Sequence, residues 1–179
     1  PPRISHIVYT AGTTGKPKGC ISSLQSLQHY LHVKNDVYGI RVGRQNNDND
    51  DDDDHATVPV VLLASALSFD PCLSDILATF TVQATLAVAP RARLLGHLST
   101  LLQPTSLLGV THVLCTPTLW SMVLLDGAQP HDFPDLRVVA LGGEPIPKRV
   151  RQIWARRRRP NNHTNTNHQD PTEDDDDDD

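Results

Sequence analysis

A chain of 179 residues is long enough to bury one sizeable core, and no apolar run in it reaches membrane-spanning length, so a cytoplasmic protein without a membrane partner is expected. The net charge of −5 conceals a split: 14 of the 21 acidic residues fall in Asp48–Asp54 and Asp170–Asp179, and the rest of the chain carries 7 acids against 16 Lys and Arg. That basic remainder suits a polyphosphate, whereas 4% aromatic residues and no recognisable nucleic-acid module speak against nucleic acid, and three scattered cysteines without a Cys-x-x-Cys pair speak against a disulfide framework or a zinc site.

The first stretch, Ile4–Gly19, reads ISHIVYTAGTTGKPKG, an apolar segment that breaks into a loop dense in glycine, threonine and lysine. Ile7, Val8 and Tyr9 have the character of a buried strand, and Gly12, Gly15 and Gly19 free the backbone to turn. Thr10, Thr13 and Thr14 offer hydroxyl donors, and Lys16 and Lys18 bring compact positive charge, a set suited to phosphate. It is not a Walker A loop, because Pro17 follows Gly15-Lys16 where that pattern needs Ser or Thr, and proline removes a donor. A solvated turn between two core elements is the plain alternative.

Ser22 or Ser23 is placed to cap a helix through Leu24, Leu27 and Leu31 towards Val37, with Gly39 as its stop. Residues 43–57 form an acidic, low-complexity insert expected to be disordered. Val58–Ala64 is the next strand, followed by SFDPCLSDI at residues 68–76 and a helix over Leu73–Val82. Asp70-Pro71 is a helix-start signal, and composition alone favours a plain cap at Asp70 over a ligand contact.

Thr85–Ala89 reads as a short strand, and Leu94, Leu98, Leu101 and Leu102 as one amphipathic helix stripe. Thr111–Cys115 is a further strand, with Pro117 opening the helix after it. Leu136–Leu141 is the last strand, Gly142-Gly143-Glu144-Pro145 turns out of it, and Pro147–Arg157 continues as a helix with Val150, Ile153 and Trp154 inward. From residue 160 to 179 the chain is expected to be a disordered acidic tail. The alternation predicts an α/β fold, a mostly parallel sheet with helices on both faces. Ligand should lie at the strands' carboxyl ends, where the Thr10–Gly19 loop, Asp70 and the Gly142–Glu144 turn are expected to share one rim.

Tyr9–Gly19 resembles the signature loop of the acyl-adenylate-forming superfamily, the AMP-binding enzymes, whose usual pattern is Tyr-Thr-Ser-Gly-Thr/Ser-Thr-Gly-x-Pro-Lys-Gly. The match fails only at Ala11, which lacks the usual serine hydroxyl. Ser68-Phe69-Asp70 and the stretch VALGGE at 139–144 look closest to nonribosomal peptide synthetase adenylation domains and β-alanine-activating enzymes. The resemblance implies a partial N-terminal subdomain of such an enzyme over residues 1–159. It implies ATP-dependent activation of a carboxylate, an amino acid by the Asp70 match, as acyl-adenylate, with transfer to a phosphopantetheine or CoA thiol.

By the same resemblance, Thr10, Gly12, Thr13, Thr14, Gly15, Lys16, Lys18 and Gly19 hold the nucleotide phosphates, with Lys16 and Lys18 stabilising their charge in catalysis. Gly142, Gly143 and Glu144 flank the adenine and the acyl pocket. Asp70 matches the aspartate that holds a substrate α-ammonium group, and Pro71, Ser74, Cys115, Ala140 and Gly142 match positions in or beside the substrate pocket. ATP, Mg²⁺ and a carrier-protein domain are the implied cofactors and partner. No counterpart is seen for the family's magnesium-binding threonine and glutamate, its ribose-binding aspartate or its C-terminal catalytic lysine, so the chain is expected to be an incomplete piece. The rival readings are a non-catalytic nucleotide-binding or protein-interaction module and a plain phosphate-binding domain.

Overall fold

The computed structural model describes residues 3–11, 15–41 and 58–155. Gly12, Thr13, Thr14, the acidic insert 43–57 and the tail 160–179 lie outside the described residues.

The chain opens with a hairpin. Strand β1 (Ile4–Thr10) pairs antiparallel with β2 (Lys18–Ser23), setting Ile7 opposite Ile21 and Tyr9 opposite Gly19. This corrects the expectation of a buried strand: Ile7 is 49% and Tyr9 71% exposed. The two strands bond only to each other among the described residues, so their apolar side chains gain no second layer. Gly19 is fixed by this pairing, since a Cβ there would meet Ile7 Cγ2 at 3.1 Å and the Tyr9 ring at 3.4 Å.

Helix α1 (Leu24–Tyr38) starts and stops where the sequence signals it. Ser23 caps it, its hydroxyl accepting from the Ser26 N–H at 3.1 Å. Gly39 ends it in the left-handed region at φ 65°, where a side chain would be strained. The expected apolar stripe is only part of the buried face, however. Val37 is 70% exposed, and the buried residues are Leu31, Lys34 and Asn35. Asn35 Nδ2 donates to the Ala78 carbonyl at 3.0 Å and to Thr81 Oγ1 at 3.2 Å, which locks α1 to α2 (Asp70–Thr81) by hydrogen bonds rather than by leucines.

The main sheet is parallel, in the order β4-β3-β5-β6, from Thr85–Ala87, Val60–Leu62, His112–Cys115 and Val138–Leu141. Side chains alternate across it, so consecutive residues serve opposite cores. Val61 packs with Ile40 and Ala84 on the side of α1 and α2. Leu62 and Val113 face the larger core built by α3 (Arg91–Gly96), α4 (Leu98–Leu102), α5 (Pro117–Leu125) and α6 (Lys148–Trp154). Both faces are therefore covered, as continuous apolar strands require. The single helix expected over Leu94–Leu102 is two, because His97 leaves helical geometry at φ −144° while Leu94, Leu98 and Leu102 stay buried. No helix among the described residues is long and apolar enough to cross a membrane.

His112 is buried in the centre of this sheet, and its Nε2–H donates to the Tyr38 carbonyl at 3.1 Å. Burial pushes the imidazole below its usual range, with the Arg137 charge adding and the Tyr38 bond opposing. The folded protein thus holds His112 neutral, while the unfolded chain takes up a proton near pH ~6.5. Unfolding then binds protons, so stability is lost as pH falls below about 6.5. Thermal melts should show a steeper loss from pH 7 to 5 in the wild type than in His112→Gln; equal slopes would refute this role.

Candidate functional site

A cavity of about 580 Å³ opens at the carboxyl ends of β3, β5 and β6. Four of the segments that wall it follow strands or open α2. The chain leaving β3 contributes Ala64, Ser65 and Ala66, and the start of α2 contributes Asp70, Pro71, Ser74 and Asp75. Cys115 and Thr116 come from the end of β5, and Ala140 to Glu144 from the end of β6 and the turn beyond it. A parallel sheet makes this convergence natural, since every strand delivers its following loop to the same edge.

The α2 wall turns on where the helix begins. Phe69 takes the cap position with extended backbone, φ −109° and ψ 133°, leaving Asp70 and Pro71 as the first two helical residues. Pro71 suits this turn because its missing N–H has no intrahelical partner there. The sequence favoured Asp70 as a helix cap, and this is corrected: the cap residue is Phe69, and no side-chain capping hydrogen bond is made. Asp70 instead borders the cavity, largely exposed, its carboxylate close to the dipole of α2. Ser74, one turn on, donates from Oγ to the Pro71 carbonyl at 2.8 Å. Cys72, by contrast, points into the protein at 3% exposure.

The opposite wall is braced by Glu144. Helix α5 begins with Pro117, which has no N–H to satisfy, and Thr116 Oγ1 accepts from the Leu119 N–H at 3.3 Å. The remaining early donor, the Thr118 N–H, is taken by Glu144 Oε2 at 3.1 Å, and the Thr118 hydroxyl donates to the same oxygen. The turn after β6 can reach that point because Gly143 adopts φ 84°. Glu144→Ala should therefore cost about 1 kcal/mol, the scale of a lost cap, while Glu144→Gln keeps an accepting oxygen and most of the stability. Urea unfolding of both variants checks this, and equal losses would mean that the charge, not the hydrogen bonds, carries the effect.

Cys115 sits at the cavity's inner side, and burial, with the Asp75 charge adding, pushes its thiol up to about 12. It is therefore a neutral, apolar lining group and not a nucleophile at neutral pH.

Of the sequence-predicted site residues, Asp70, Pro71, Ser74, Cys115, Ala140, Gly142, Gly143 and Glu144 line this one cavity. The described loop residues, Thr10, Gly15, Lys16, Lys18 and Gly19, belong to or border the hairpin and are not among its lining. Lys16 and Lys18 are exposed, and Gly15 is in the left-handed region at φ 76°. Sequence reasoning missed a whole wall, formed by Tyr30, Lys34 and Tyr38 of α1. Their spacing of four residues was the available signal, since it places all three on one helix face. Arg91 was also missed; its Nη1 donates to the Ala64 carbonyl at 3.2 Å and steadies the segment that leaves β3.

A parallel α/β sheet covered on both faces, with a mainly apolar cavity carrying a few polar groups at its carboxyl edge, defines the class: a small-ligand-binding α/β domain. The chain belongs to the AMP-binding enzyme family, whose model matches residues 1–165. It is 30% identical over 155 residues to the delta-poly-L-ornithine synthetase of Acinetobacter baumannii, covering 87% of this chain and 10% of that protein. To the nonribosomal peptide synthetase sidE of Aspergillus fumigatus it is 28% identical over 164 residues, 88% of this chain and 6% of the relative. The chain thus spans a tenth or less of the length of these curated relatives. Its fold is similar to the crystal structure of the Vibrio cholerae adenylation domain AlmE in complex with glycyl-adenosine-5'-phosphate. That likeness has a TM-score of 0.58 at 24% identity and covers 74% of this chain and 22% of the other.

Proposed function

We propose that this chain supplies the amino-acid side of an adenylation site within a longer enzyme. The substrate carboxylate attacks the α-phosphate of ATP, pyrophosphate leaves, and the aminoacyl-adenylate passes to a phosphopantetheine or CoA thiol, the former on a carrier-protein domain. The observation that carries this reading is Asp70: a carboxylate at the cavity edge, released from the capping task that would otherwise explain it. Such a group pairs with an ammonium ion by a charge-assisted hydrogen bond and so orients an amino acid. Membership of the AMP-binding family and similarity to peptide synthetases support the reaction class.

The nucleotide supplies the electrophilic phosphorus and the leaving group; what this chain supplies is position. The turn at Gly142 and Gly143 leaves an open surface beside the cavity, since a Cβ at Gly142 would meet nothing within 4 Å, and a flat ring would lie there. The Lys16 and Lys18 ammonium groups are exposed and offer charge to phosphate oxygens. Among the described residues no group of three or more His, Cys, Asp or Glu side chains is arranged to hold a metal ion; an Mg²⁺ that arrives with ATP would take most of its ligands from phosphate oxygens and water.

Amino-acid-dependent ATP–pyrophosphate exchange by the full-length protein that contains this chain tests the reading. Exchange that depends on one or a few amino acids is expected. Exchange supported equally by carboxylates lacking an amino group, or by none of the amino acids, would overturn it.

A further inference from the structure

Lys34 is buried where a lysine is rarely found, its side chain only 4% exposed. It reaches from α1 to α2, where its Nζ lies 2.5 Å from Asp75 Oδ1 and donates to Ser74 Oγ at 3.0 Å. Asp75 is itself 1% exposed. Burial pushes its carboxyl up, while the Lys34 ammonium and the Ser65 hydroxyl pull it back down. An ion pair buried in this way seldom stabilises a fold more than well-packed apolar residues would. Stability therefore does not explain its place, and its place is the cavity: Lys34, Ser74 and Asp75 all line it.

The geometry of α2 says what that place is. Asp70 and Ser74 are four residues apart on one helix face, a rise of about 6 Å. The Lys34–Ser74–Asp75 cluster thus lies one turn from the carboxylate that takes the substrate ammonium in the reading above, at the depth an amino-acid side chain reaches. A buried carboxylate at that depth is a receptor for a cationic side chain. Lys34 fills it with the protein's own ammonium, and Tyr30 and Tyr38, one turn to either side, close the wall.

We propose that the Lys34–Asp75 pair determines the substrate class: it keeps the pocket floor neutral, closes it to basic side chains, and selects amino acids with uncharged ones. This rests on the amino-acid-activating reading. Neither charge is available to a ligand, since an acidic side chain approaching Lys34 also meets Asp75, and a basic one approaching Asp75 also meets Lys34.

The test is ATP–pyrophosphate exchange by the full-length protein with uncharged, basic (lysine, ornithine) and acidic (aspartate, glutamate) amino acids. Wild type should prefer an uncharged side chain by tenfold or more over either charged class. Lys34→Met exposes the carboxylate and should raise relative activity on lysine or ornithine at least tenfold; Asp75→Asn exposes the ammonium and should shift it likewise towards aspartate or glutamate. The double variant Lys34→Met/Asp75→Asn has no charge on the floor and should return to uncharged substrates. Unchanged rankings in both folded single variants would overturn the proposal. Should a single variant fail to fold, wild type alone decides, because activation of a basic or acidic amino acid as fast as the best uncharged one overturns it as well. Absence of exchange with every amino acid would instead remove the underlying reading, a different and recognisable result.

Discussion

Asp70→Asn should raise the KM for the amino acid and lower kcat/KM for exchange by about a hundredfold to a thousandfold, equivalent to roughly 3–4 kcal/mol. That is the scale on which a charged hydrogen-bond partner is lost from a ligand ammonium. The fold should hardly notice. Asp70 makes no capping hydrogen bond, so removing its charge forfeits only the interaction with the α2 dipole, about 0.5 kcal/mol. The substitution therefore separates binding from stability. A des-amino analogue, a carboxylate without the ammonium, should bind Asp70→Asn no worse than wild type, because it never used the charge. An unchanged KM for the amino acid in a folded Asp70→Asn protein would show that the carboxylate serves something other than the ammonium.

Trp120→Ala should destabilise the domain by about 3–5 kcal/mol and lower Tm by roughly 10–20 °C. Trp120 is 0% exposed and stands edge-on to Trp154, with ring centroids 4.9 Å apart at 83°. Phe133 stacks with Trp154, centroids 5.9 Å apart at 22°. This three-ring cluster is the only aromatic ring packing among the described residues, and it ties α5 and α6 together in the larger core. Truncation leaves a void that neither rigid ring can fill, so the cavity cost adds to the lost transfer energy. The consequence reaches the site, because α5 supplies Thr118, which grips Glu144. Trp120→Phe keeps most of the volume and should cost much less; a loss in Trp120→Ala below about 1 kcal/mol would mean that the cluster collapses around the gap.

Local signals were read most faithfully where the backbone itself was at stake. Ser23 and Gly39 bound α1 as their cap chemistry requires, and Pro71 and Pro117 stand in the first turns of α2 and α5. The apolar runs at β3, β5 and β6 appear as strands of the parallel sheet that their alternation with helices predicts, with β6 half-buried at its edge. The site was legible only in part. Asp70, Ser74 and the Gly142–Glu144 turn were found through a resemblance carried by short motifs, and they do line one cavity. Helix α1 is legible only in part, because apolar spacing selects Leu24, Leu27, Leu31 and Val37, of which Leu31 is buried and Val37 exposed, whereas Lys34 and Asn35 complete the buried face.

The sequence by itself determined the order and kind of the main elements, since caps, prolines and hydrophobic period act within a few residues of where they stand. It could not determine which polar side chains leave water. Lys34 and Asp75 are 41 positions apart, and only the packing of α1 on α2 brings the cation within 2.5 Å of the carboxylate. The cavity too is a tertiary fact. Its walls come from segments spread over more than a hundred residues, and they meet because parallel pairing in the order β4-β3-β5-β6 delivers their loops to one edge.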